Sequence, residues 1–111
     1  MKFYPLQTPI MIGCRTYLTV LDEYLLLKEG LRGCCVQGFG EIKIYTSMPD
    51  IEKTKTWLHE ITHAKDFVYN SHNLSQASDD TIDQLAEADL QILPQMGIEI
   101  CWDDPTVNTA R

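Results

Sequence analysis

The stretch from residue 50 to residue 70 constrains the fold of this chain more than any other segment. It follows Pro49, contains no glycine or proline, and repeats apolar residues at steps of three and four, which predicts an amphipathic helix. Asp50 is the expected N-cap, because its side chain can accept hydrogen bonds from the first free N–H groups. The apolar positions of this helix are Ile51, Trp57, Leu58, Ile61, Ala64, Phe67 and Val68.

The same helix carries His59, Glu60 and His63 in an H-E-x-x-H pattern. Residues four apart lie one above the other on a helix, so both imidazoles can reach one tetrahedral Zn²⁺ at about 2.0–2.1 Å. Glu60 then flanks the metal, where its carboxylate can deprotonate a water molecule. The alternative is a surface helix with two solvated histidines. Two of only three histidines fall at this spacing, which favours a metal site.

Size and charge narrow the classes of protein to consider. A chain of 111 residues fits a single domain, here residues 1–111, with an irregular segment at 1–9 and a flexible tail at 103–111. It contains no run of 18 apolar residues and no secretory signal, so we expect a cytoplasmic protein without a membrane segment. The net charge of −7 and the lack of a basic stripe disfavour nucleic-acid binding.

The four cysteines do not form a metal-binding pattern. Cys14, Cys34, Cys35 and Cys101 include no C-x-x-C pair. We therefore expect reduced thiols that pack as small apolar side chains.

The remaining segments predict an α+β fold in which a mixed or antiparallel β-sheet precedes two helices. Residues 10–20 favour one strand, and residues 21–29 fit either a short helix or a second strand. Two further strands are predicted at 34–37 and 41–45, and a last short one at 98–102. Ser78 is a suitable N-cap for a second helix over residues 79–95, which Gly97 would end.

A catalytic zinc normally has three protein ligands, so a third donor is needed. The class with a third histidine two turns after the motif is excluded, because Tyr69 stands at that position. A carboxylate of the second helix remains. Asp79 and Asp83 share a face with its apolar residues and would point to the first helix, whereas Asp80 lies further towards solvent. Alternatively, these carboxylates only complement the helix dipole and keep the protein soluble.

Two more polar residues are candidates near the site. His72 lies in the loop between the helices, where it is either solvated or a further donor. Asp66 follows His63 by three residues and could accept a hydrogen bond from that imidazole, or it is a surface charge.

Residues 41–95 resemble small phage and prophage zincin-like metallopeptidases, relatives of the ImmA/IrrE type of gluzincin. The resemblance lies in the strand Glu41–Tyr45, the block Thr56–Ala64 around H-E-x-x-H, and the helical stretch Ile82–Leu93. Its most specific part is the H-E-x-x-H block.

This resemblance implies zinc held by two histidines and one acidic residue, and hydrolysis of peptides. His59 and His63 would be ligands and Glu60 the general base. Asp79 is the first choice for the third ligand, followed by Asp83 and then Asp80. The family usually has glutamate there, so the shorter aspartate requires a closer approach of the second helix.

The leading hypothesis is therefore a zinc peptidase acting on a peptide or protein. The strand formed by Glu41, Ile42, Lys43, Ile44 and Tyr45 is predicted to be an edge strand that binds the substrate as an added strand. Tyr45 or Tyr69 is a candidate oxyanion donor or a packing residue. One alternative is a phage-type regulatory interaction module with the same fold, inactive or only weakly active. Another is a plain α+β domain without metal.

Overall fold

A four-stranded mixed β-sheet carries the helices of this protein. The computed structural model describes residues 1–71, 73–74 and 79–103, and the predictions for His72, Ser78 and the tail from residue 104 lie outside this part. The α+β class is confirmed. The elements are β1 (Lys2–Phe3), β2 (Ile10–Ile12), β3 (Arg15–Asp22), α1 (Leu25–Glu29), β4 (Gly33–Val36), β5 (Glu41–Tyr45), α2 (Asp50–Asn70), α3 (Asp79–Gln95) and β6 (Glu99–Ile100).

The strand order in the main sheet is β2-β3-β5-β4, with β3 and β5 parallel and the other two pairs antiparallel. The prediction of a single strand over residues 10–20 is wrong, because β2 and β3 form a hairpin in which Ile12 pairs with Arg15. Gly13 makes this turn possible with a left-handed backbone (φ 62°), which side chains with a Cβ rarely adopt. For residues 21–29, the helical alternative is correct at Leu25–Glu29.

The prediction that Glu41–Tyr45 is an edge strand is wrong. The strand has the predicted bounds, but β3 pairs with one side of it and β4 with the other. Ile44, for example, is paired with both Leu21 and Gly33. Both sets of backbone hydrogen-bonding groups of β5 are thus used within the sheet, and the edge strand on this side of the sheet is β4.

Helix α2 packs across this sheet and forms the core. Its bounds match the prediction, and its buried apolar residues meet the inward side chains of β3 and β5. The indole of Trp57 also donates a hydrogen bond to Thr19 Oγ1 at 3.0 Å. Ile51 is an exception to the predicted apolar face, since it is 62% exposed in the first turn. The core of this layer consists of Tyr17, Ile42, Ile44, Trp57, Leu58, Ile61 and Ala64.

Proline determines where α2 begins. The expected cap Asp50 is wrong by one residue, because Pro49 is the N-cap and Asp50 lies in the first turn. Proline has a fixed φ and lacks an N–H, and here its carbonyl accepts bonds from the N–H groups of Glu52 and Lys53, both at 3.0 Å. Among the described residues, no side-chain hydrogen bond caps this end.

Helix α3 covers another side of α2 and has the predicted bounds. Ile82 and Ala86 are buried between the two helices, as the apolar pattern indicates. Gly97 follows the helix with φ 77°, and the N–H of Ile98 bonds back to the carbonyl of Leu93 at 3.0 Å.

The two ends of the described chain meet beside α2. The expectation that residues 1–9 are wholly irregular is wrong at Lys2–Phe3, which pairs in parallel with Glu99–Ile100. Trp102 follows β6, is buried, and donates its indole N–H to Thr54 Oγ1 on α2 at 2.9 Å. All four cysteines are free. In the described ranges, none of the helices combines the length and apolar character that crossing a membrane requires.

Candidate functional site

His59 and His63 lie one turn apart on α2 and face each other. Their Nε2 atoms are 3.1 Å apart, and their ring centroids are 4.7 Å apart with the planes inclined by 67°. Both side chains are about one-fifth exposed. The spacing of the motif therefore places two nitrogen donors at one point on the helix surface, as predicted from the 3.6-residue turn.

Asp79 approaches this point from the first turn of α3. Its Oδ1 lies 3.6 Å from His63 Nε2, and one donor atom from each of His59, His63 and Asp79 lies within 4.8 Å of the others. Ligand atoms bonded tetrahedrally to one zinc at 2.0–2.1 Å lie about 3.3 Å apart. His59, His63 and Asp79 thus form a metal group, meaning a set of side chains that could hold a metal ion. Small shifts of these side chains would bring their donor atoms to tetrahedral distances.

Asp83, the second choice for a ligand, occupies a different position. Its Oδ1 lies 2.7 Å from Nδ1 of His59, on the side of the ring opposite the metal group. A carboxylate only accepts, so Nδ1–H is the donor and Nε2 of the neutral ring keeps its lone pair. Asp83 therefore orients the His59 ring, while Asp80, the third choice, is exposed and lies outside the group of three.

Glu60 is buried next to the histidine pair, with only 8% of its surface exposed. The pKa of its carboxyl is raised from 4.5 to about 7, mainly because the side chain is buried. The nearby His59 lowers this pKa, and the charge of Asp79 raises it further. A carboxyl with this pKa can exchange a proton near neutral pH.

Gly33 lets the edge strand β4 come close to Glu60. A Cβ atom at Gly33 would lie 2.4 Å from Thr56 Cγ2 and 3.3 Å from Glu60 Oε2, which is too close for a side chain. Gly33 directly precedes the strand predicted at residues 34–37. Its role was not predicted; the available signal was a glycine beside a predicted strand, where glycine often marks a close approach of the backbone.

A cleft of about 900 Å³ lies between α2 and β4 and contains the metal group. One wall is the face of α2 that carries Thr56, His59, Glu60 and His63, with Asp79 and Asp83 contributed by α3. The opposite wall is the free edge β4 and the segment before it. That segment contributes two apolar and one basic side chain, Leu26, Leu31 and Arg32, and α2 adds Lys55.

Cys34 and Cys35 also line the cleft but remain protonated thiols at neutral pH. Burial raises the pKa of Cys35 to about 12, and the charge of Glu60 adds to this shift. Burial likewise raises the pKa of Cys34, with a smaller contribution from Glu60. Neither thiol belongs to the group formed by His59, His63 and Asp79.

Three further residues that were predicted as candidates near the site are Asp66, Tyr45 and Tyr69. Asp66 is buried and accepts hydrogen bonds from Asn70 Nδ2 at 2.9 Å and from the N–H of Leu74 at 3.1 Å, so it fixes the end of α2. Its predicted contact with His63 stays a prediction. Tyr45 and Tyr69 are not among the residues that line the cleft, and Tyr69 packs near Gly13 instead. Neither tyrosine is placed to act as an oxyanion donor there.

No protein-family model matches the sequence, and no curated protein and no solved structure matches it either. The chemistry of the site therefore has to follow from the residues of the cleft themselves.

Proposed function

We propose that this protein is a zinc-dependent peptidase of the zincin-like type, which hydrolyses a peptide bond in the cleft between α2 and β4. The observation that carries the proposal is the meeting of three metal donors with one buried carboxylate. His59, His63 and Asp79 supply the donors, and Glu60 lies beside them in the same cleft.

The donor set favours zinc. Two imidazole nitrogens and one carboxylate oxygen form a common catalytic zinc set, and three protein ligands leave one position open for water or substrate. A bound zinc would polarise the scissile carbonyl and make water acidic enough to lose a proton at neutral pH. Asp83 would keep the His59 ring in the orientation and tautomer that ligation requires.

Glu60 is the proposed general base. It accepts a proton from the attacking water and delivers it to the leaving amine nitrogen, so that one carboxyl serves both steps. Its raised pKa suits both directions of transfer, because neither form is strongly favoured near neutral pH. Its burial against Gly33 excludes bulk water from one side of the carboxylate.

The free edge of β4 is the proposed site of substrate binding. A peptide in extended conformation can pair its main chain with such an edge, and the pairing gives affinity without a deep pocket. Strand β5 is not available for this, since both of its sides are paired. We further propose that the protein acts in the cytoplasm of a bacterial or phage-infected cell, where its four free thiols would stay reduced.

Replacing Glu60 with glutamine tests the catalytic assignment. Glutamine keeps the size of the side chain but cannot take a proton, so zinc content should be retained while peptide cleavage falls by at least about 100-fold. Glu87→Gln on the exposed face of α3 is the matched control and should retain activity. Cleavage that survives in Glu60→Gln would contradict the assignment. Zinc binding without cleavage in the unmodified protein would favour the regulatory interaction module.

A further inference from the structure

Two positively charged side chains line the cleft without an ionic partner. Arg32 precedes β4 and Lys55 lies on α2, and neither is within ion-pair distance of an acidic group in the described part of the chain. This is unusual in a chain with 16 acidic and nine basic residues. Unpaired cations beside a candidate catalytic group indicate that the missing anion comes with the ligand.

The other described lysines and arginines of the middle of the chain are already engaged. Lys43, Lys53 and Lys65 form ion pairs with acidic side chains at 3.6–3.9 Å. Arg15 and Lys28 lie over the rings of Phe67 and Tyr24, at 4.8 and 5.3 Å from the centroids. Arg32 and Lys55 differ from these five residues, because neither has an ion pair or a contact over an aromatic ring within the described part of the chain.

Arg32 and Lys55 lie at the same end of the cleft. Gly33 is packed against Thr56 and Glu60, so Arg32, the residue before it, is level with the turn of α2 that carries Lys55. The other end of β4 lies near Phe67, because Arg15 stacks on that ring and also donates a hydrogen bond to the carbonyl of Gln37 at 2.7 Å. The two cations thus flank one side of the metal group.

The distance from this pair to the metal group suits a neighbouring residue of a substrate. Lys55 precedes His59 by four residues, which is about 6 Å along a helix. Successive residues of an extended peptide are about 3.3 Å apart. A carboxylate near Lys55 would therefore belong to a residue one or two positions from the scissile bond.

The surroundings of the two cations are partly apolar and partly acidic. Leu31, the residue before Arg32, and Leu26 also line the cleft, and apolar side chains lower the local polarity, which strengthens charge pairing. Glu52 also lines it, one turn before Lys55 on α2, but the two do not form an ion pair. Glu52 is exposed, and its negative charge disfavours an anion directly beside it.

We propose that Arg32 and Lys55 form a carboxylate-binding subsite that selects substrates with an acidic group one or two residues from the scissile bond. The proposal rests on the peptidase function given above. The carboxylate is either the side chain of an aspartate or glutamate, or the C-terminal carboxylate of the substrate, and the two sources are distinguishable.

The first test uses a set of synthetic peptides with zinc-loaded protein and detection of products by mass spectrometry. The peptides place Asp, Asn, Glu or Gln at successive positions, and each is made with a free and an amidated C-terminus. We expect peptides with the acidic group to be cleaved about 3- to 10-fold faster than their neutral isosteres, as two partly exposed ion pairs allow. If the cleavage rate depends only on the free C-terminus, the subsite binds the C-terminal carboxylate. If it depends only on the acidic side chain, the subsite binds aspartate or glutamate.

Charge-removing variants connect this preference to the two residues. Arg32→Gln and Lys55→Gln should each lower the ratio of cleavage of acidic peptides to cleavage of their neutral isosteres. Lys53→Gln is the matched control, because Lys53 lies on the same helix but outside the cleft lining and is paired with Asp50. A preference that is unchanged in both cleft variants, or equal cleavage of acidic and neutral peptides, would overturn the proposal.

A binding measurement separates failure of the subsite from failure of the peptidase function. The same peptides carry a fluorescein label, and their anisotropy is followed with the Glu60→Gln protein in zinc-containing buffer at low salt. Tighter binding of acidic peptides that is lost in the Arg32→Gln background supports the subsite even when no cleavage occurs. Equal binding, or no binding of any peptide, would overturn the subsite whatever the outcome for catalysis.

Discussion

Asp83 accepts a hydrogen bond from Nδ1 of His59 at 2.7 Å, on the ring edge opposite the atom that meets His63. This contact joins α3 to α2 at the site and orients the His59 ring so that its Nε2 faces His63. Asp79 and Asp83 lie one turn apart on α3 but contact different atoms. Asp79 lies beside both histidines, and Asp83 contacts the far nitrogen, Nδ1, of His59.

Removing the contact from Asp83 should weaken metal binding without abolishing it. Asp83→Asn preserves the size of the side chain but not its charge, and we expect zinc affinity to fall about 10- to 100-fold, as for other groups that orient a ligand. Competition with a chromophoric chelator measures this. Glu87→Gln, one turn further along α3, should bind zinc like the unmodified protein. A Glu87 variant that loses as much affinity as Asp83→Asn would show that general charge and not orientation is responsible.

The close approach of β4 to α2 predicts a specific response to substitution of Gly33. Gly33→Ala introduces a Cβ about 2.4 Å from Thr56 Cγ2, so the strand must shift, and we expect a loss of about 1–3 kcal/mol in the free energy of unfolding. Urea denaturation followed by tryptophan fluorescence reports this value.

Two companion variants make this prediction sharper. Thr56→Ser removes the clashing methyl group and should partly restore the stability of Gly33→Ala. Gly38→Ala adds a Cβ where no atom lies within 4 Å, so we expect little change. Equal losses in Gly33→Ala and Gly38→Ala would mean that strand or turn flexibility, and not the contact with α2, determines the effect.

The buried carboxyl of Glu60 predicts how the stability of the metal-free protein depends on pH. Its pKa is about 7 in the folded state and 4.5 in an exposed carboxyl, so the folded state holds the proton more tightly. The contribution of Glu60 to the free energy of unfolding is therefore fully present below about pH 4.5. It is lost as the pH rises through about 7, which lowers the free energy of unfolding by up to about 3 kcal/mol.

Comparison with Glu60→Gln isolates this contribution from those of the other groups, including His59 and Asp79, whose charges act on the same carboxyl. Urea unfolding in the presence of a chelator at pH 5 and pH 8 should show a larger fall for the unmodified protein than for the variant. Parallel pH profiles for the two proteins would contradict the assignment of a raised pKa to Glu60.

The helices of this protein are predictable from local signals, and the site follows partly from them. Proline before Asp50 and an unbroken apolar period define α2, and the same reasoning gives α3 its bounds. The meeting of His59 with His63 depends only on helix geometry. The neighbouring side chain of α3 is harder to predict, because a rotation of that helix by one residue would exchange Asp79 for Asp80.

The order of the strands in the sheet could not be predicted from the sequence pattern of each strand. Alternation along Glu41–Tyr45 indicates a half-buried strand but not which strands lie on its two sides. Its parallel pairing with β3 and antiparallel pairing with β4 are set by contacts between residues that are distant in sequence, and they make Gly33–Val36 the edge strand on that side of the sheet. The cleft residues Gly33, Arg32 and Lys55 were missed for this reason, since their role depends on the place of β4.

Metal content is the measurement that tests the central claim most directly. The purified protein is analysed for zinc beside the double variant His59→Ala/His63→Ala and the single variant Asp79→Ala, after all three are exposed to Zn²⁺ and freed of excess by gel filtration. The proposed site predicts about one zinc per chain in the unmodified protein, none in the double variant, and a reduced amount in Asp79→Ala. An absence of zinc from the unmodified protein, or an equal content in the folded double variant, would contradict a metal site at His59, His63 and Asp79.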